Sequence, residues 1–338
     1  MHNTLLALAR QAKVWLTPAH QSYAQIPTGS LPLWSEEFRD WIAQKLGFQT
    51  DFASITYNRV LRQIDQEAKS APREQAHLRV APVKGGYQID LGGPTIHLTG
   101  KGWKIECNDG LAPDENRGIS FHRPASSHPL PHPTQSTTPL PDHLSTAFAL
   151  DEKPAHHLAQ WLELALRPDT LCPPLILTGP FRNEAATALR QLIDPETCAM
   201  FPLPTSRRDA NWMALYHRVL AFQTYGPLTD FKKNIPQALA RGARLRLHQA
   251  DHKGPKLEQV IHRPIILTAE SAPKICGNQI EIEIEKCGPL PQQEVLAALF
   301  DQMVKSIRDE KSLPEEVPYV TTCDSLQLVS AAAQSPFP

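Results

Sequence analysis

A lysine amine and a neighbouring hydroxyl, set just after a glycine turn, are what a strand–turn–helix element uses to hold phosphate and its Mg²⁺. The stretch Pro174 to Leu192, PLILTGPFRNEAATALRQL, has the element and lacks the groups. An apolar run, Leu175 to Leu177 with Thr178, leads into Gly179, and helical spacing follows from about Glu184 through Ala185, Ala188, Leu189 and Leu192. Counted from Gly179, Glu184 stands where the pattern needs its second glycine. Ala185 stands in the lysine's place and Ala186 in the hydroxyl residue's. Thr187 comes one place late, and Arg182 is the turn's one cation, which reads most simply as a solvated turn arginine.

A second concentration of chemistry is basic. Arg241, Arg244, Arg246, His248, His252, Lys253 and Lys256 lie close together, with Lys232 and Lys233 just ahead of them. The span RGARLRLHQADHKGPKLEQV reads as a hairpin with its tip near Asp251 to Gly254. Alternation in Arg244-Leu245-Arg246-Leu247-His248 puts the cations on one face of a strand. Such a face neutralises phosphates, with an affinity that falls steeply with salt. The same charges also guard an exposed strand against edge-to-edge pairing. No aromatic residue interleaves them, which argues against base stacking.

Elsewhere the expected chemistry is sparse. None of the six cysteines is paired as C-x-x-C, and no Cys/His spacing fits a zinc knuckle, so they read as free thiols of a reducing cytosol. His122, His128 and His132 fall in a proline-rich stretch and are expected to be solvated linker histidines. Paired carboxylates such as Glu36-Glu37 and Glu315-Glu316 belong to exposed faces, and no G-x-S-x-G, H-E-x-x-H or EF-hand pattern occurs. No metal and no cofactor are expected.

A chain of 338 residues has room for two or three domains. Its net charge of −1 gives no global pull toward nucleic acid, so such binding must come from a local patch. The 32 prolines are about twice the usual share and suggest rigid connectors. The run Leu5 to Ala9, broken by Arg10, is too short for a signal-peptide core, and no stretch approaches the ~20 apolar residues of a membrane span. A cytoplasmic protein without a membrane partner is expected.

The elements that must position these groups follow from spacing. Residues 3–16 show helical periodicity, stopped by Thr17-Pro18. An extended, turn-rich stretch runs from Ala24 to Leu33, then Ser35 caps a helix that Gly47 ends. A third helix covers about Ala53 to Ala68. Short strands at Leu78–Pro82, Tyr87–Leu91, Thr95–Leu98 and Trp103–Cys107 are separated by glycine turns. Residues 121–145 read as a proline-rich linker, and 151–167 as a helix. Three buried strands are expected: Leu175–Thr178, then Arg218–Phe222 ending at Gln223, then Ile261–Thr268. A helix over 231–240 precedes the basic hairpin, 280–285 alternates as a half-exposed strand, and 291–308 is an amphipathic helix. A short helix near Ser325 to Ala333 is expected in the tail. Strands alternating with helices imply a parallel α/β sheet.

Strand and degenerate loop, second strand, hairpin, third strand: this order resembles the AAA+ core of superfamily 3 and primase-associated replicative helicases. FRDWIA (38–43), RVAPVKGGYQIDLGG (79–93), GKGWKI (100–105) and FHRPASSHPLPHP (121–133) look like the accessory region of related ATPases of bacterial mobile elements. WLELALRP before PPLILTG is similar to that family's entry into the ATPase domain. The resemblance covers most of residues 35–290. It implies a P-loop lysine and hydroxyl, where Ala185 and Ala186 stand, and a carboxylate at the end of the second strand, where Gln223 stands. It implies a polar sensor on the third strand, where Thr268 stands, and an arginine reaching a neighbouring subunit near Asn278 and Gln279. In that family the hairpin tracks DNA, which makes Arg241 to Lys256 the expected contact.

The expected architecture is thus an α/β protein with an AAA+-like P-loop NTPase core, a parallel sheet flanked by helices, at 146–290. A small α+β domain (1–120) and the linker (121–145) precede the core, and a helical tail (291–338) follows it. With lysine, hydroxyl, carboxylate and arginine all absent, no ATP hydrolysis is expected. The chain would act by binding DNA, or as the partner of an active helicase or of other replication or defence proteins. An unconventional ATPase using Arg182 or Thr187 and a purely protein-binding module are the alternatives.

Overall fold

The computed structural model describes residues 2–17, 22–27, 29–47, 55–71, 74–106, 119–224, 226, 228, 236, 239, 243–247, 257–275 and 278–312. The chain opens with helix α1 (His2–Ala9) and a three-stranded antiparallel sheet, β1 (Lys13–Leu16), β2 (Ser22–Ile26) and β3 (Gly29–Pro32). Helices α2 (Glu36–Leu46) and α3 (Ile55–Lys69) complete a buried cluster of their own with Leu5, Ala24, Phe38, Ile42 and Ile64. The caps of α2 are the expected ones: Ser35 Oγ accepts from the Phe38 amide at 3.2 Å, and Gly47 is left-handed at φ +68°. The helix expected over 3–16 is shorter. It stops at Ala9, because Val14 and Trp15 pair across β2, where the Trp15 ring stacks on Tyr23 at 5.8 Å.

Next come β4 (Ala76–His77), the antiparallel meander β5 (Val80–Val83), β6 (Gly86–Asp90), β7 (Thr95–Thr99) and β8 (Gly102–Glu106), and β9 (Ser120–Phe121), which pairs with β4 in parallel. One face of the meander, Val80, Tyr87, Ile89, Ile96 and Leu98, joins the same buried cluster as helices α4 (Leu140–Phe148) and α5 (Glu152–Ala165). The prolines of 123–139 exclude helix and ladder, yet this segment is laid onto the body: the Leu130 amide donates to Leu91 and the His128 amide to Pro195. His128 and His132 are exposed, but His122 is not solvated. It is 3% exposed, donates from Nδ1 to the Ser30 carbonyl at 2.9 Å, and sits edge-on to both Tyr23 and Tyr216.

The second half is an α/β layer. Its elements are β10 (Leu175–Thr178), α6 (Arg182–Ile193), β11 (Phe201–Pro202), α7 (Arg207–Tyr216), β12 (Leu220–Gln223), the hairpin β13 (Ala243–Leu247) and β14 (Leu257–Ile261), β15 (Ile265–Thr268), β16 (Ile280–Glu283) and α8 (Gln292–Ser312). The parallel sheet runs β11-β12-β15-β10-β16, so β15 is slotted between β10 and β12. Strands apolar at every position need cover on both faces. Leu175, Leu177, Ala221 and Ile266 pack toward α5, α6 and α8, whereas Ile176, Leu220, Phe222, Ile265 and Leu267 pack toward Ala210 and Ala214 of α7. Each Leu or Ile so buried contributes about 1.5–3 kcal/mol. Helices α4 and α7 and strand β11 are additions to the sequence reading. The helix expected at 231–240 (save Pro236 and Leu239), the hairpin tip, and the tail with its helix near 325–333 lie outside the described residues. Among the described residues no helix is long and apolar enough to cross a membrane.

Candidate functional site

In open parallel sheets ligands bind beyond the carboxyl ends of the strands, beside a change in strand order. Here that place is the end of β10, with β15 on one side and β16 on the other. The register brings the expected residues together there: Leu177 lies opposite Thr268, Gln223 opposite Thr268, and Thr178 opposite Glu283. Thr268 is fully buried and its Oγ1 has no partner, while its carbonyl accepts from both the amide (3.1 Å) and the hydroxyl (2.8 Å) of Thr224. Gln223 is half-buried and neutral.

The turn from β10 to α6 is Gly179-Pro180-Phe181. Gly179 has φ +87°, and a Cβ there would sit 2.5 Å from the Ile284 carbonyl oxygen. Glycine is needed because the turn is pressed against the end of β16. The Ile284 amide donates to Thr178 (2.9 Å) and the Phe181 amide to Ile284 (3.2 Å). Pro180 has no amide to offer. The Arg182 guanidinium folds back and donates Nη1 to the Gly179 carbonyl at 2.9 Å. Helix α6 starts at Arg182, earlier than the spacing predicts. Ala185 and Ala186 therefore fall beyond the turn, fully buried in the core, and Thr187 is half-buried further along the helix. Glu184 takes the first helical turn, where its charge meets the positive end of the helix in place of an anion. Asn278 and Gln279 precede β16 and so lie at the opposite edge. There Gln279 accepts from the Ile275 amide and donates to Pro273.

That opposite, N-terminal edge is built from buried charge. Asp194, 3% exposed, accepts from the amides of Arg218 and Val219 at 3.0 Å each and pairs with Arg79 at 3.4 Å. Arg79 is held at φ +59° and also donates to the Asp90 carbonyl, Ser127 Oγ and the His128 carbonyl. Arg123 forks onto Asp90 with two 2.7 Å bonds. Beside them Arg190, fully buried, pairs with Glu196 at 3.1 Å, and His217 donates to the same carboxylate at 2.6 Å. Burial holds His77 and His122 down at about 4; Arg218 adds to the effect on His77. Burial also pushes the Cys172 thiol up to about 12, which leaves it inert as a nucleophile. Two polar recesses lie along this edge. Among the described residues no group of His, Cys, Asp and Glu is arranged to hold a metal.

The basic hairpin is present as a backbone ladder, with Arg244 opposite Val260 and Arg246 opposite Glu258. Arg241, His248, Lys253 and Lys256, with Lys232, Lys233 and His252, lie outside the described residues. The arginines of the N-terminal edge escaped the sequence reading because they come from separate connectors. Their one local signal is an arginine just before each of two buried strands, at 218 and 263.

No family model matches the chain, and no curated protein matches it. It is similar to solved apo structures of the NrS-1 C-terminal region. One gives a TM-score of 0.39 at 10% identity, over 92% of this chain and 69% of that one. Another gives 0.41 at 10% identity, over 98% and 76%. At this identity no residue role is carried across.

Proposed function

We propose that the chain is a helicase-like protein with an AAA+-type core, of the kind carried by mobile elements, whose nucleotide edge is shut and which works by contact instead of hydrolysis. The order of parts supports the core assignment: strand, glycine turn and helix, a later strand, a hairpin, and a strand slotted back between the first and the later one. The turn at Gly179 carries the loss of catalysis. Its Phe181 amide is spent on Ile284, the Gly179 carbonyl holds Arg182, and no lysine or hydroxyl stands at the helix entry. Phosphoryl transfer depends on positioned charge, and neither Gln223 nor Thr268 brings any to this edge. An ATPase built on Arg182 or Thr187 is disfavoured by the same contacts.

The contact proposed is nucleic acid along the 241–256 hairpin, with an active helicase subunit or another replication or defence protein as further partner. The test is anisotropy of a labelled single-stranded oligonucleotide across a salt series. Arg244→Ala with Arg246→Ala is expected to weaken binding and to lower the salt slope by about two. Binding by the unaltered chain that ignores this double substitution contradicts the hairpin assignment.

A further inference from the structure

The alternation Ile280-Glu281-Ile282-Glu283-Ile284-Glu285 has no part in the function proposed above. It forms β16 and its continuation, and β16 is the last strand in the order β11-β12-β15-β10-β16. The isoleucines take one face: Ile282 and Ile284 are buried in the cluster that includes α5, α6 and α8, and Ile280 packs against it. The glutamates take the other face, and all three are exposed. Ile176, opposite Glu281 in register, still packs toward α7. The apolar layer under that face therefore ends at β10, and β16 is covered on one side only.

The hydrogen-bonding edge of β16 is open as well. The Ile280 amide donates to Pro174 and the Ile284 amide to Thr178, both at 2.9 Å, while the Ile284 carbonyl accepts from Phe181. A parallel ladder engages alternate residues, so Glu281 and Glu283 turn amide and carbonyl away from β10. Among the described residues nothing pairs with those groups. Nor does any described cation pair with the three carboxylates; Glu281 accepts only from the neutral Gln279 amide, at 2.6 Å. The far edge of the sheet is finished differently. There β11 is two residues long and ends in Pro202, with Pro204 close behind, which leaves little to pair with.

No proline guards β16, only charge of one sign repeated about every 6.5 Å. Such a row repels acidic strands and admits one whose cations recur at every second residue. Two segments of this chain are disfavoured as that strand by their own charge. Residues 313–338 contain Glu315, Glu316 and Asp324 and no lysine, arginine or histidine, and residues 107–118 set Asp109, Asp114 and Glu115 against Arg117. We propose that the free edge of β16 takes an extended basic segment of a partner protein as an added strand. Backbone bonds would run to Glu281 and Glu283, with alternate lysines or arginines set against the three carboxylates. The proposal deepens the protein-partner part of the function proposed above and stands or falls apart from the hairpin and the closed turn.

The experiment is anisotropy of a short labelled peptide of alternating valine and lysine, titrated with the full chain. Two further peptides carry N-methyl groups on alternate amides, either at the lysines or at the valines. Ladder pairing uses one of these sets, so one methylated peptide is expected to bind about tenfold more weakly than the other. Glu281→Gln with Glu283→Gln removes two charges and should weaken binding about fivefold. Glu283→Pro removes an outward amide and a charge but no bond to β10, and should weaken it about tenfold. The glutamine variant changes exposed side chains only and should unfold at the wild-type temperature, so the test does not depend on the proline variant folding well. Equal affinity for all three peptides, unchanged affinity in both variants, or no saturable binding by the unaltered chain overturns the proposal. Sedimentation that shows the unaltered chain associating with itself, and the glutamine variant not, overturns it in favour of a second copy. Peptide binding of the expected pattern without oligonucleotide binding supports this edge and overturns the hairpin reading alone.

Discussion

The two edges of the parallel sheet are closed by different means. At the carboxyl edge the closure is backbone: Gly179 against Ile284, Phe181 bonded to Ile284, and neutral Gln223 and Thr268 beside them. At the amino edge it is charged side chain: Asp194, Arg79, Arg218 and Arg263, with Arg190 and Glu196 nearby. An α/β sheet ordinarily keeps its polar chemistry at the first edge. Here the first edge is closed by packing, and the buried charge lies at the second. In the function proposed above, the absence of the lysine is one part of the closed nucleotide edge, and the shape of the turn is the other.

The largest effect that would test this contrast is at Asp194. Asp194→Ala strands two amides and Arg79, and should cost about 3–5 kcal/mol in urea unfolding. A loss below about 1 kcal/mol would mean the amino edge is not held by charge. Next is the attempt to restore a nucleotide site. Ala185→Lys with Ala186→Ser places an unpaired ammonium in the core, so the expected outcome is about 3 kcal/mol of lost stability and no gain of ATP binding. Gly179→Ala should cost about 2–3 kcal/mol, because its φ is positive and the new methyl meets the Ile284 carbonyl. A neutral result there would show that the turn is looser than described.

Smallest when counted per pH unit is the pH dependence. His77 and His122 stay neutral when folded down to about pH 4, whereas the unfolded chain takes up protons near 6.5. Stability is full above about pH 6.5 and falls as the pH drops toward 4. His122 alone removes about 1.4 kcal/mol per pH unit, and the half-buried His77 adds less. His122→Gln should flatten that slope; an unchanged slope would locate the titration elsewhere.

Features set by neighbours in sequence were legible. Ser35 and Gly47 bound α2, glycine pairs mark the meander turns, and the apolar runs at 175, 220 and 265 are buried strands. Features set across the chain were not. Trp15 belongs to a strand because Tyr23 lies opposite it, and His122 is buried because it meets the Ser30 carbonyl and Tyr216. The missing lysine could be counted in the sequence. That its counted position is buried beyond the turn depends on where α6 begins, which is set by the contact with β16.

The most direct measurement is a calorimetric titration of the full chain with Mg·ATP. The closed turn at Gly179 requires that no saturable binding be seen up to millimolar nucleotide; a site of micromolar affinity, about −8 kcal/mol, would contradict it.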